Sequence, residues 1–283
     1  MSLAVALAVL LAAVTHASWN AMAHTIKDQL VAFTLIGGGA TAIGAVLALF
    51  TPLPASGAWP YLIASAALHT GYQALLMRSF SLGDFGQMYP IARGTAPLVV
   101  TVLAVLFVGE SLNAWQASGV AVASAGLVGM ALWGIRGSGA RPHWPALLAA
   151  LATGLSIAAY TVVDGVGVRA SGTPVGYIAW LMILEGLLIP GYAVFRRRGA
   201  LWEQLRPYAA RGLLGAALSM TAYGLVLWAQ TRAPLAPVAA LRESSIIVGA
   251  GIGALLFKER FGGVRIAAAG VLVVGIGLML RAG

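Results

Sequence analysis

YPIARGTAPLVV, residues 89 to 100, sets an arginine inside a run that is otherwise soluble in lipid, with Pro90 and Pro97 on either side of it. An arginine at the centre of a membrane helix costs roughly 2.5 kcal/mol or more unless it faces a protein interior or a watery cavity. What Arg93 faces therefore decides both the fold and the work the chain can do.

The composition puts that helix in a bilayer. Of 283 residues, 60% are hydrophobic and only 9% charged, and the mean hydropathy is +0.91, outside the range of ordinary soluble domains. The chain reads as an all-α integral membrane protein. With no cysteine there is no disulfide framework and no thiolate metal site. A net charge of +9 and a pI near 10.5 would suit a nucleic-acid binder. The basic residues, however, cluster at segment ends, where Lys and Arg set membrane orientation, so nucleic acid is rejected as a partner. Met1 to Met22 lacks the basic start of a secretory leader and reads as a first transmembrane helix.

A spanning helix takes roughly 20 mostly apolar residues. Polar and Pro/Gly-rich punctuation divides the chain into ten such pieces, at 2–23, 30–50, 59–79, 85–107, 113–134, 145–167, 174–195, 207–229, 235–257 and 263–281. The connections are short, the longest lying around RRRGALWEQLRP (196–207), so the function belongs within the bilayer. Sliding the chain by 149 positions (242 − 93) lays Arg93 on Arg242, Thr95 on Ser244, Glu110 on Glu259 and Gly126 on Gly275, with FVGE (107–110) over LFKE (256–259). This predicts two five-helix repeats, 1–137 and 138–283, within one membrane domain. An odd helix count turns the second copy upside down, and inverted repeats are how many secondary transporters build alternating access.

With Trp19-Asn20 near the end of the first segment, YPIARGTAP in the fourth, and Gly109-Glu110 and Lys258-Glu259 after the fourth and ninth, the whole chain resembles the drug/metabolite transporter superfamily, in particular its EamA branch. The resemblance implies a ten-helix metabolite or drug transporter, usually an exporter, with a cavity between the halves. Substrates vary widely across that family, so none is carried over. Many relatives place both termini inside the cell.

Helical spacing lines polar side chains up on single faces: His16, Asn20 and His24 with Trp19 beside them; His69, Tyr72 and Gln73; Ser156, Tyr160 and Asp164; Ser219 and Tyr223; and Tyr89 one turn before Arg93. Lipid has no partners for these groups, so they should converge inside the bundle around water. The single Ser and Thr residues are explained as well by hydrogen bonds between helices, and His16 and His69 stand equally as neutral linkers or as site residues. Pro90 and Pro97 are expected to kink the fourth helix and free carbonyls around Arg93. Arg242 is followed by Glu243, Ser244 and Ser245, so two guanidiniums and at least one carboxylate should meet between the halves. Arg93 with Glu243 is expected as a buried ion pair. It either locks the halves together or leaves one arginine free to hold a carboxylate, phosphonate or phosphate.

The candidate substrate-binding set is thus Arg93, Arg242, Glu243, Tyr89, Trp19, Asn20, His16, His69, Tyr72, Gln73, Tyr160 and Tyr223. Glu243, Asp164 and Glu185 are candidates for proton coupling, and Asp164 has the alternative of capping its helix near Arg169. Small residues four apart, such as Ala40 with Gly44 and Gly212 with Ala216, are read as packing.

The function expected is a transporter that is not ATP-driven, since no GxxxxGK[ST] loop occurs. It would move a small anionic or zwitterionic metabolite such as an amino acid, phosphonate or organic anion, outward, through a central cavity. Efflux of hydrophobic cations is the alternative; an intramembrane zinc enzyme using His16, His69 and Asp164 ranks last and fits no HExxH pattern. No enzyme activity, cofactor or metal is expected. Partners are the substrate, the lipid bilayer and protons as candidate coupling ions, and the assembly is a monomer or weak dimer. The location is a multi-pass, bacterial-type inner membrane. Loops after odd-numbered segments hold twelve basic residues against three elsewhere, which puts those loops in the cytoplasm and the termini outside.

Overall fold

Caps written into the sequence start several helices close to where the segmentation puts them. In the computed structural model, which describes residues 1–82, 85–137, 144–256 and 263–281, α1 (Leu3–His24) opens at Ser2, whose Oγ accepts from the Val5 amide at 3.4 Å. Asp28 takes the Leu30 and Val31 amides at 3.1 and 3.3 Å to open α2 (Gln29–Phe50). Next come α3 (Trp59–Leu82) and α4 (Phe85–Leu103); α4 widens into a π-turn, Ala104–Val108, which stops at Gly109 with φ 71°. Asn113 and Gln116 cap each other's amides before α5 (Ala114–Gly137). After α6 (Trp144–Ser171), Thr173 and a proline at the first position start α7 (Pro174–Gly186). The remainder is α8 (Leu188–Arg197), α9 (Leu201–Leu205), α10 (Ala209–Gln230), α11 (Leu235–Arg242), α12 (Ser245–Leu256) and α13 (Gly263–Leu280).

Two predicted segments, 174–195 and 235–257, prove to be helix pairs. Pro190 has no amide for the carbonyl of Gly186, and the chain breaks at Leu187 between α7 and α8. Between α11 and α12 the chain tightens to three-residue bonds, Glu243 N to Ala240 O at 3.2 Å and Ser244 N to Leu241 O at 3.1 Å. By contrast, α4 runs as one helix through Pro90 and Pro97, within the single segment expected there. Thr101 ties back to the Pro97 carbonyl at 2.8 Å and steadies the turn.

Leu3, Leu7 and Leu11 of α1 and Leu148 and Leu155 of α6 stay more than half exposed, as does Phe107. Water would not tolerate such a skin, whereas lipid would. Leu3–Ala23, Gln29–Phe50, Trp144–Ser171 and stretches within Pro174–Gln230 are long and apolar enough to cross a bilayer. Inside, α1 packs along α10, α3 along α6, α2 on α7, α5 on α13, and α4 on α6. The α5–α13 seam brings backbones together: a Cβ on Gly275 would lie 2.7 Å from the Gly119 carbonyl oxygen, and one on Gly119 would lie 2.6 Å from that of Gly275. At the α2–α7 crossing a Cβ on Gly44 would meet the Ala179 carbonyl at 2.7 Å, so Gly44 serves close packing.

Candidate functional site

Arg93 meets neither lipid nor open cavity. It is 3% exposed, its Nε donates to Glu243 Oε2 at 2.7 Å, and its Nη2 donates to Ser245 Oγ at 3.3 Å. Glu243 is itself 1% exposed, which makes this a buried ion pair joining α4 to the α11–α12 turn.

The second guanidinium is placed differently. Arg242 Nε lies 3.9 Å from Glu243 Oε1, too far for a hydrogen bond, and has no hydrogen-bond partner among the described residues. Arg242 is followed by Glu243, Ser244 and Ser245, whereas Arg93 is followed by Gly94, Thr95 and Ala96.

Arg242 borders a cavity of about 120 Å³ between α1, α2, α3, α6, α7, α10 and α11. Its polar wall is the predicted one: His16, Trp19 and Asn20 from α1; His69, Tyr72 and Gln73 from α3; Tyr160 from α6; Tyr223 from α10. Phe33, Ile36 and Ala40 of α2 and Met182 of α7 supply the apolar wall. Arg93 and Glu243, predicted with this set, belong to the neighbouring ion pair and are not among the lining residues. Tyr89 sits on α4, but its side chain, like that of His24 and like the repeat match Lys258-Glu259, lies outside the described residues.

The wall is held by its own bonds. Trp19 Nε1 donates to His16 Nδ1 at 3.3 Å, and Asn20 Nδ2 to the His16 carbonyl at 2.8 Å. His69 stacks on Tyr160, with centroids 3.9 Å apart, and meets the Tyr223 ring edge-on at 5.4 Å. Its Nδ1 sits 3.0 Å from the Ser65 carbonyl, 3.1 Å from Ser65 Oγ and 3.5 Å from Glu185 Oε2.

The two acids inside this region differ in kind. Glu185 lines the cavity, and its Oε2 has no hydrogen-bond partner among the described residues. Asp164 lies behind the wall, fully buried, accepting from Tyr177 Oη at 2.9 Å and from Tyr223 Oη. The alternative of a boundary cap fails for Asp164, because α6 runs two further turns to Ser171.

Ser65 and Tyr177 were missed by the sequence reading. Ser65 stands one turn before His69 on the same helix face, a signal that was available. Tyr177 reaches Asp164 from a different helix, and no local pattern announces that. Among the described residues no three His, Asp or Glu side chains converge as a metal set.

The π-turn and Gly109 deliver Glu110 to the α11 N-terminus. Its Oε2 accepts the Leu235 amide at 2.7 Å and its Oε1 accepts from Arg169 Nη2 at 2.7 Å. Arg169 also donates to the carbonyls of Gln230 at 2.8 Å and Ala233 at 3.0 Å. Beside them the Ala55 amide bonds the Ser171 carbonyl at 3.0 Å.

An apolar skin thus surrounds a small polar chamber. Residues 144–281 match the EamA-like transporter family. The match takes in 138 of the 283 residues, so the second half of the chain resembles EamA-type transporters of the drug/metabolite transporter superfamily. A protein of known crystal structure superposes on 100% of this chain and 98% of its own with a TM-score of 0.70 at 18% identity, a likeness of fold alone. No curated protein matches.

Proposed function

We propose that the chain is a secondary, alternating-access exporter of a small anionic or zwitterionic metabolite, and that Arg242 is the residue that holds the substrate's acid group. The observation that carries this reading is the asymmetry of the two arginines: Arg93 has its carboxylate at 2.7 Å, whereas Arg242 borders the cavity and its buried Nε has no hydrogen-bond partner among the described residues. A buried guanidinium in that condition is stabilised by an incoming anion. Trp19, Tyr72, Tyr160 and Tyr223 supply apolar surface for the rest of the molecule. At about 120 Å³, the chamber falls below the roughly 300 Å³ of ordinary drug-sized pockets, which favours a metabolite.

Ten spans in two inverted repeats, 1–137 and 138–283, form the frame of this reading. Supporting it, α3 and α10 start at 59 and 209, α4 and α11 at 85 and 235, and α5 and α13 at 114 and 263, each close to the 149 offset. The pairing supports it too: exchanging first, third and fourth spans for sixth, eighth and ninth turns α1 on α10 into α6 on α3, and α4 on α6 into α11 and α12 on α1. In this frame the Glu110–Arg169 tie is the closed gate. The cavity residues sit toward the other, more basic end, which the charge count places in the cytoplasm of a bacterial-type inner membrane. Glu185, facing His69, is the proton carrier this arrangement favours over Asp164, which two tyrosines hold, and over Glu243, which Arg93 holds.

Flux of labelled amino acids, phosphonates and organic anions through reconstituted vesicles tests the reading. Arg242→Met should abolish flux of the preferred substrate, and Glu185→Gln should remove its response to a pH gradient while exchange continues. The second reading, efflux of a hydrophobic cation, is favoured by the unbonded Glu185 oxygen amid aromatic rings. Cation efflux that survives Arg242→Met and dies with Glu185→Gln would replace the first reading with the second.

A further inference from the structure

A second cavity lies on the outside of the bundle. It is an open groove of about 350 Å³ between α2, α8, α9 and α10, walled by Leu35, Gly38, Pro190, Val194, Leu201 and Leu213. Its floor is the α2–α10 crossing, where Gly212 admits Leu35 and Gly39 admits Ala216. Val194 is 59% exposed and Leu213 56%, so the groove opens toward the lipid rather than toward the central chamber. Apolar walls of this kind suit a hydrocarbon chain.

The rim is its chemical opposite. Residues 196 to 211 carry Arg196, Arg197, Arg198, Arg206 and Arg211 against a single acid, Glu203. Arg197 is spent on Asp28 at 2.7 Å, which pins the end of α8 to the start of α2. Arg196, Arg198, Arg206 and Arg211 are exposed. Trp202, on α9 between them, is 72% exposed, and tryptophan outside a membrane bundle favours the headgroup level. The arginines therefore stand where lipid phosphates lie, and a hydrocarbon slot descends from among them.

We propose that this groove seats one anionic phospholipid, its acyl chain against Gly38, Pro190 and Val194 and its phosphate among Arg196, Arg198 and Arg206. Basic pockets between membrane helices recognise anionic headgroups through charge, while the chain supplies the apolar contact. A second copy of the protein is a poorer occupant, because a two-fold interface sets the same patch against itself and would face these arginines with their own copies. The site does not depend on what the central chamber carries.

The test uses delipidated protein and native mass spectrometry with three probes: dipalmitoyl phosphatidylglycerol, the phosphatidylcholine of the same chains, and glycerol phosphate. The wild type should retain one phosphatidylglycerol on the order of ten times better than phosphatidylcholine, with no glycerol phosphate bound. Changing Arg196, Arg198 and Arg206 together to Gln should bring phosphatidylglycerol down to the phosphatidylcholine level. Gly38→Leu should expel both lipids, since a Cβ there meets only Pro190 Cγ, at 3.7 Å, and the side chain grows into the slot. Leu213→Trp fills the same slot from α10, so the outcome does not hang on one variant folding. Equal retention of the two lipids by the wild type would overturn the proposal. So would phosphatidylglycerol binding that ignores the arginine or groove changes, glycerol phosphate bound as firmly as the lipid, or a dimer that Gly38→Leu splits.

Discussion

Glu243 stands between two guanidiniums, and this makes the loss of Glu243 worse than the loss of Arg93. At an effective dielectric of about 20, charges 2.7 Å apart interact by about 6 kcal/mol and charges 3.9 Å apart by about 4 kcal/mol, before desolvation is subtracted. Glu243→Gln removes both attractions and leaves two buried cations facing each other; stranding one buried charge already costs about 3 to 5 kcal/mol. Arg93→Met removes only the first, and Arg242 can close the remaining distance to the acid. With roughly 2 °C of midpoint per kcal/mol in a chain of this length, thermal unfolding in detergent should show Glu243→Gln lower by about 6 to 10 °C and Arg93→Met by about half as much. Arg93→Met should also weaken ligand binding, because Arg242 is drawn out of the chamber toward Glu243. The double variant Arg93→Met/Glu243→Gln should then bind better than Arg93→Met alone. If Arg93→Met is the more destabilising single change, or the double variant binds no better, the assignment of the Arg93–Glu243 pair and of Arg242 to the chamber is wrong.

Other positions give independent checks. Glu110→Ala strips the α11 N-terminus of its acceptor and Arg169 of its carboxylate. With Arg169 about one-third exposed, the cost should be about 1 to 3 kcal/mol, and amide exchange should speed up at 231–236. Tyr177→Phe and Tyr223→Phe should each cost about 1 kcal/mol in the wild type and clearly less in an Asp164→Asn background; additive losses in unfolding midpoints would contradict the shared buried carboxylate. Gly275→Leu drives a side chain into the Gly119 backbone and should cost more than about 3 kcal/mol, whereas Gly277→Leu, with nothing within 4 Å, should leave the melting curve where it is.

Much of the architecture was legible because a bilayer imposes rules that act along the chain. Segment lengths and the apolar skin depend on near neighbours, and so does the polar stripe on each helix. His16, His69, Tyr160 and Tyr223 reach the chamber because three- and four-residue spacing puts them on faces that lipid cannot accept. The pairing of Arg93 with Glu243 could also be anticipated, since neither charge survives alone at that depth. The sequence could not say that the second guanidinium would border the chamber; the packing of α11 beside α1 and α4 decides that. The split of the seventh and ninth segments, the two tyrosines on Asp164 and the bond from Glu110 to an amide 125 positions away are likewise products of helices meeting across the bundle. A local pattern can state that a polar group needs a partner; the partner's identity is decided by distances in space that sequence separation does not encode.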